Sequence, residues 1–167
     1  KRTRSSSDNC PLSIVNLIVS LFRSLLLSRL LSVILIPNHT EKAGVNAMNY
    51  LIVIDMQVDF ISGSLGSDRA RGIVPKVVEL VENFDGKVFF TRDTHGKNYL
   101  RTQEGRNLPV EHCIQGTEGW QICPELREKA QNVVDKLSFG SISLPRLLAQ
   151  EGTPESITLC GLCTDIC

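Results

Sequence analysis

From residue 48 onward, short apolar runs alternate with amphipathic stretches. YLIVID (50–55) is apolar until its closing acid, the pattern of a strand covered on both faces. KVFFT (87–91), NVVDK (132–136) and SITLC (156–160) are further strand-length runs. Between them, IVPKVVELVENF (73–84) sets Ile73, Val74, Val77, Val78, Val81 and Phe84 on one helical stripe, with Pro75 near the predicted start. PELREKA (124–130) predicts a helix leading into the third strand. SLPRLLAQEG (143–152) predicts another, with a Ser cap, an early Pro and a closing Gly. Strands alternating with helices predict an α/β domain built on a parallel sheet. In such sheets ligands bind beyond the carboxyl ends of the strands. Asp55, Asp93, Lys136, Cys163 and Cys167 all fall at or just after those ends.

The first 47 residues follow a different pattern. PLSIVNLIVSLFRSLLLSRLLSVILIP (11–37) is strongly apolar, and Ser13, Asn16, Ser20, Arg23, Ser24, Ser28, Arg29 and Ser32 trace a narrow polar stripe along a helix. As a membrane span it would carry two arginines at its middle, which is costly in hydrocarbon. The basic, Ser-rich start and the absence of acids between Asp8 and Glu41 suit a targeting peptide, although a secretory core is shorter. The preferred reading is upstream read-through, because the first methionine, Met48 in MNYLIVIDMQ, directly precedes the first strand. The domain is therefore expected to occupy 48–167, with 1–47 a non-domain segment.

Charge sharpens that division. The chain of 167 residues has net charge 0, but residues 1–47 carry six Lys/Arg against two Asp/Glu and residues 48–167 carry twelve against sixteen. A neutral chain gives no global sign of nucleic-acid binding. Its hydrophobic content of 42% is ordinary for a globular protein. The six cysteines are sparse for a chain of this length and read as cytosolic thiols rather than a disulfide framework.

Three of those cysteines, Cys160, Cys163 and Cys167, crowd the end of the chain in ITLCGLCTDIC. They could form part of a zinc site, but a structural zinc takes four ligands and no matching pair lies elsewhere. They could form a CxxC redox pair, but such pairs normally open a helix and Cys160 sits in a strand. The remaining reading is a strand, a turn, and a helix starting near Thr164 or Asp165. Cys167 would then sit in the first turn, where unpaired N–H groups stabilise a thiolate and could hold an oxyanion.

The other candidates lie after the earlier strands. In IDMQVDF (54–60), Asp55 is placed to shuttle a proton and Asp59 to cap a turn. For Lys136, an exposed strand-end lysine and a functional one are both open. DTHGKNYLRTQEGRNLPVEHC (93–113) holds two of the chain's three histidines. Asp93, His95, Glu104 and His112 offer oxygen and imidazole ligands suited to zinc, manganese or iron. A loop of this length in a compact domain is usually functional. The alternative is a polar loop with capping acids and a hydrogen-bonded histidine.

The ordered set IDMQVDF, TRDTH…EH, DKLSFGS and GLCTDIC resembles the isochorismatase-like cysteine hydrolases, and within them the nicotinamidases. The resemblance runs from Met48 to Cys167. It implies a three-layer α/β/α fold with a Rossmann-like parallel sheet, C-terminally truncated here. It implies a catalytic triad of Asp55, Lys136 and Cys167, and an oxyanion hole from the N–H groups of Cys163 and Cys167 next to a cis Leu162–Cys163 peptide. It also implies a substrate-pocket Phe60 and one divalent ion, zinc foremost, on Asp93, His95, Glu104 and His112. The expected activity is hydrolysis of nicotinamide to nicotinate and ammonia in cytoplasmic NAD salvage. Another amide or isochorismate as substrate, and a thiol-based metal-binding or redox module, are the alternatives. No nucleic-acid partner is expected and no membrane association of the domain; homo-oligomerisation stays open. Many nicotinamidases carry an aromatic residue shortly before the last metal histidine, where this chain reads NLPVEHC. The family also continues past its nucleophile, so the chain is expected to be a fragment with little or no activity.

Overall fold

The structure is a computed structural model that describes residues 48–163, 166 and 167. The readings of residues 1–47 and of a helix starting at Thr164 or Asp165 fall outside those residues. In chain order the elements are β1 (Met48–Ile54), α1 (Val58–Ile61), α2 (Asp68–Glu82), β2 (Lys87–Asp93), a 3-10 turn (Tyr99–Arg101), α3 (Gln103–Asn107), α4 (Pro124–Arg127), β3 (Val133–Lys136), α5 (Ser143–Glu151) and β4 (Pro154–Gly161). Among the described residues no helix is long and apolar enough to cross a membrane.

The four strands form one parallel sheet in the order β3-β2-β1-β4. The chain steps outward from β1 to β3, then crosses back to place β4 on the free side of β1. That reversal makes the carboxyl ends of β1 and β4 the switch point beyond which sheets of this kind bind ligands. Gly161 closes the β4 side of it: its φ is 125°, and a Cβ there would lie 2.1 Å from the Ile54 carbonyl oxygen. Only glycine admits that approach.

Alternation along β1 assigns the layers. Leu51 and Val53 join Phe90, Val74, Val77, Val81 and Leu126 in the main core, beneath α2 and α4. Tyr50 points the other way. Its ring meets Phe89 edge-on at 5.2 Å, and its hydroxyl donates to the carbonyl of Gly152, which caps α5. Helices therefore flank both faces, giving the expected three layers. The α5 layer is the thinner one, with no fully buried side chain.

The helix boundaries differ from the sequence expectation for identifiable reasons. α2 starts at Asp68, before the stripe at Ile73, because the Ser67 side chain accepts the Ala70 N–H at 3.1 Å and buried Ala70 lies one turn before Val74. Pro75 consequently falls inside the helix, where it removes the N–H that would bond the Arg71 carbonyl. Substituting Ser67→Ala is expected to cost about 1 kcal/mol, read as a lower urea midpoint at unchanged slope. For α5 the capping hydroxyl is Ser141, which accepts from Leu144 N–H at 3.1 Å, and Ser143 is already helical. The stretch 93–113 is not a plain loop: it holds the 3-10 turn and α3, whose Thr102 cap accepts the Gly105 N–H at 3.0 Å.

Candidate active site

Three strand ends converge on Lys136, the last residue of β3. Its ammonium lies 2.7 Å from Asp55 Oδ2, 3.5 Å from Cys167 Sγ and 3.4 Å from Asp93 Oδ1. Asp55 follows β1 in a left-handed conformation, φ 49°, and is fully buried. Thr91 of β2 secures it. The Thr91 hydroxyl donates to Asp55 Oδ1 at 2.7 Å, and the Thr91 carbonyl accepts the Asp55 N–H at 3.2 Å. Asp55 Oδ2 meets Lys136 as an ion pair outside hydrogen-bond alignment. Lys136 is thus a buried member of a cluster, not the exposed strand-end residue that sequence left open.

The charges inside this cluster follow from its burial. Burial disfavours the Lys136 ammonium, but the charge of Asp55, its close contact, and the charges of Asp93 and Cys167 outweigh it and raise the pKa above the ordinary lysine value. At Cys167, burial is the largest influence and the Asp55 charge adds to it. Lys136 acts oppositely but less, and the thiol is pushed up to about 12. The resting sulfur is therefore a protonated thiol. A helix start would favour the thiolate; burial and the neighbouring carboxylate act in the opposite direction, and they suit a sulfur that gives up its proton to Asp55. Cys167 N–H donates to the Cys163 carbonyl at 3.2 Å, and the Leu162–Cys163 peptide is cis, as the resemblance implied.

A second cluster adjoins the first through Asp93. Asp93 Oδ2 is 2.9 Å from His95 Nε2 and 3.8 Å from His112 Nε2, and Glu104 Oε1 lies 3.7 Å from each histidine nitrogen. One atom from each of the four residues falls within 4.8 Å of every other. Bonds of about 2.1 Å to a tetrahedral ion set ligand atoms roughly 3.4 Å apart, so small side-chain shifts suffice to close the set. Two further observations fit a cation. His95 Nε2 is buried with no partner in hydrogen-bond alignment. His112 Nδ1 donates to the Val110 carbonyl at 2.8 Å, which leaves Nε2 to face the cluster.

The same arrangement sets the cluster's charges. Burial opposes the Asp93 charge, but contact with His95 and the charges of Lys136 and both histidines hold its carboxyl below the usual range. His95 is raised above the ordinary histidine value because contact with Asp93 and the charges of Asp93 and Glu104 outweigh burial. Glu104 occupies the first turn of α3 and reaches the histidines from there. Phe60 lies 5.6 Å from the His112 ring, and Tyr99 packs against His95 at 4.7 Å and His112 at 4.9 Å.

Several supporting residues were not singled out for these tasks by sequence. The fully buried Gln57 amide accepts from Asp93 N–H at 2.7 Å and donates to the carbonyls of Asp93 and Trp120, each at 2.8 Å. Asp59, expected to cap a turn, does so by accepting from Ser64 N–H, and its other oxygen accepts the Cys113 N–H at 2.8 Å. That bond holds the residue after His112, whose φ is 47°. The available signal was polarity at positions flanked by apolar ones: Gln57 beside Met56 and Val58, Thr91 beside Phe90.

Known proteins carry the same framework. A yeast (Saccharomyces cerevisiae) nicotinamidase is 28% identical over 123 residues, covering 53% of this chain, and the match spans 56% of that relative's length. The solved pyrazinamidase of Pyrococcus horikoshii in complex with zinc superposes with a TM-score of 0.59 at 29% identity, over 72% of this chain and 73% of that one. The nicotinamidase/pyrazinamidase of Bacillus subtilis does so with a TM-score of 0.57 at 31% identity, over 72% and 74%. The Isochorismatase domain profile matches residues 49–167, a stretch that includes every member of both clusters. With the sheet order, the buried Asp55–Lys136–Cys167 cluster and that match in agreement, the chain belongs to the isochorismatase domain family.

Proposed function

We propose that the protein carrying this domain is a cysteine-dependent amidohydrolase that converts nicotinamide to nicotinate and ammonia, in the cytoplasm and in NAD salvage. The observation that carries the reading is the shared Asp93 carboxylate, with one oxygen facing His95 and the other facing a Lys136 ammonium that also contacts Asp55 and Cys167. It sets a nucleophile cluster directly beside a ligand set for a divalent ion. The similarity to a nicotinamidase and to a zinc-bound pyrazinamidase supports the substrate class and the metal.

The steps follow from the contacts. Asp55 removes the proton from the Cys167 thiol as the sulfur attacks the carboxamide carbon, and Lys136 offsets the negative charge that develops on the pair. The N–H groups of Cys163 and Cys167 receive the oxyanion; the 3.2 Å bond from Cys167 N–H is long enough to be shared. Collapse breaks the C–N bond, and Asp55 returns its proton to the departing ammonia. Water then adds to the thioester carbon, Asp55 takes the water proton, and cleavage of the C–S bond releases nicotinate and restores the thiol. Asp93, His95, Glu104 and His112 would hold a zinc ion that supplies a Lewis-acid anchor for the pyridine nitrogen. Phe60, beside His112, would pack against the ring and help fix its orientation.

Ammonia release from nicotinamide, followed before and after removal of metal by a chelator, tests the assignment. Turnover is expected to fall on the order of 10²-fold, because a misplaced ring costs about that much, and to return with added zinc. Turnover that survives metal removal counts against the nicotinamidase reading and favours a related hydrolase acting on another amide.

A further inference from the structure

We propose that Gln57 is the positioning residue that aims the Asp93 carboxylate at two targets at once, the metal-ligand set and the Lys136 ammonium. The proposal rests on the amidase reading above and extends it to a residue outside both clusters. Beyond Val53↔Phe90, β1 no longer pairs with β2, because the chain turns at Asp55. The end of β2 would therefore leave the Asp93 main chain without a strand partner on that side. The Gln57 side chain enters the gap. Its Oε1 accepts the Asp93 N–H, and its Nε2 donates to the Asp93 carbonyl, so one carboxamide bonds both main-chain groups of one residue, a task that takes two peptide units of a neighbouring strand.

Fixing both groups fixes the backbone dihedrals of Asp93 and hence the direction of its side chain. The remaining N–H of Gln57 holds the Trp120 carbonyl, while the Trp120 indole donates to Thr94 Oγ1 at 2.8 Å. The segment that follows His112 is thereby tied to the same point. The Gln57 N–H donates to the Asp55 carbonyl at 2.7 Å, but none of the side-chain hydrogen bonds goes to Asp55, Lys136 or a histidine, so the effect of the carboxamide passes through Asp93. The chemistry of the position is narrow. It needs an acceptor and two donors on one plane, fully buried. Glutamate would turn an oxygen toward two carbonyls, and asparagine is one methylene short.

The test uses the full chain with zinc alone as the probe, measured by competition against a chromophoric chelator well below the unfolding temperature. Gln57→Met and Gln57→Glu are each compared with the parent, and Gln57→Met is repeated in an Asp93→Ala background. Supporting partners of metal ligands are worth about 10- to 100-fold in metal affinity, so each single variant is expected to bind zinc about tenfold or more weakly. In the Asp93→Ala background the same substitution is expected to change affinity less than about twofold, because the residue through which it acts is gone. A folded Gln57→Met protein that binds zinc as the parent does overturns the clamp. So does an equal loss in both backgrounds, which marks general destabilisation. Where Gln57→Met does not fold, Gln57→Glu, which keeps the length and the acceptor, is scored by the same affinity. A parent chain that takes no zinc sinks the metal reading and the clamp together, an outcome distinct from the first two.

Discussion

Cys167→Ala is expected to abolish amide hydrolysis by the protein carrying this domain, with a fall on the order of 10⁴-fold or more, while leaving the unfolding midpoint close to that of the parent. The size follows from the proposed covalent step: alanine offers no group to form the thioester, and Lys136 and Asp55 have no second nucleophile within the contacts described. The fold should tolerate the change because Cys167 is only half-buried. Cys160 provides the control. Its thiol lies in β4 and burial pushes it up to about 11, so Cys160→Ala should keep turnover within a few-fold. The resting state of Cys167 adds a second readout. With its thiol at about 12, alkylation by iodoacetamide near neutral pH should be slow compared with a low-pKa cysteine, and slower still than catalysis on a good substrate. Ammonia release that persists in Cys167→Ala would remove the covalent mechanism and leave the fold assignment untouched.

How much of this could be read from the chain depends on the distance over which each feature is encoded. The four strands were legible because burial on two faces writes itself as a continuous apolar run, as in YLIVID. Asp55 and Asp93 were legible because a charged residue ending such a run is placed by the sheet at one edge; the same logic put Lys136 at that edge but left open whether it is exposed or buried. Helix starts were less so. Ser67 and Ser143 look alike as caps, and only the backbone decides that Ser67 caps α2 while Ser141 takes that part for α5. The short α3 was hidden inside 93–113 because five residues carry too little periodicity to see. The tasks of Gln57 and Thr91 were invisible for a different reason. Their partners are main-chain groups and a carboxylate 36 residues away, and single-sequence pattern holds no record of pairing at that range. The state of Cys167 has the same limit: a helix start favours a thiolate, yet burial, and after it Asp55 more than a hundred positions earlier, push the thiol up.

The largest stability effect is expected from Lys136→Met, a loss of about 3–5 kcal/mol at neutral pH, the usual consequence of removing one partner from a buried ion pair. The ammonium is almost wholly buried and Asp55 is fully so, so the substitution strands a carboxylate with no water to solvate it and leaves Asp93 short of one cationic neighbour. The pH dependence has a definite sign. Lys136 titrates above its ordinary value of 10.5 in the folded protein, so its contribution is complete below the unfolded pKa and disappears as pH rises through the folded one. The gap between parent and Lys136→Met, measured by urea unfolding, should therefore be constant from about pH 6 to 9 and narrow only in strong alkali. Asp93 has the opposite sign. Its folded pKa is lowered from 3.8, so its contribution holds above that value and is lost as pH falls through the folded one. Removing the other partner supplies the decisive comparison. If the cost of Lys136→Met is the stranded charge, Asp55→Leu in the same chain should recover most of it, because an apolar pair of similar volume needs no solvation. A double variant no more stable than Lys136→Met would show that Lys136 supports the strand ends through its packing, and that the ion pair beside Cys167 belongs to the chemistry alone.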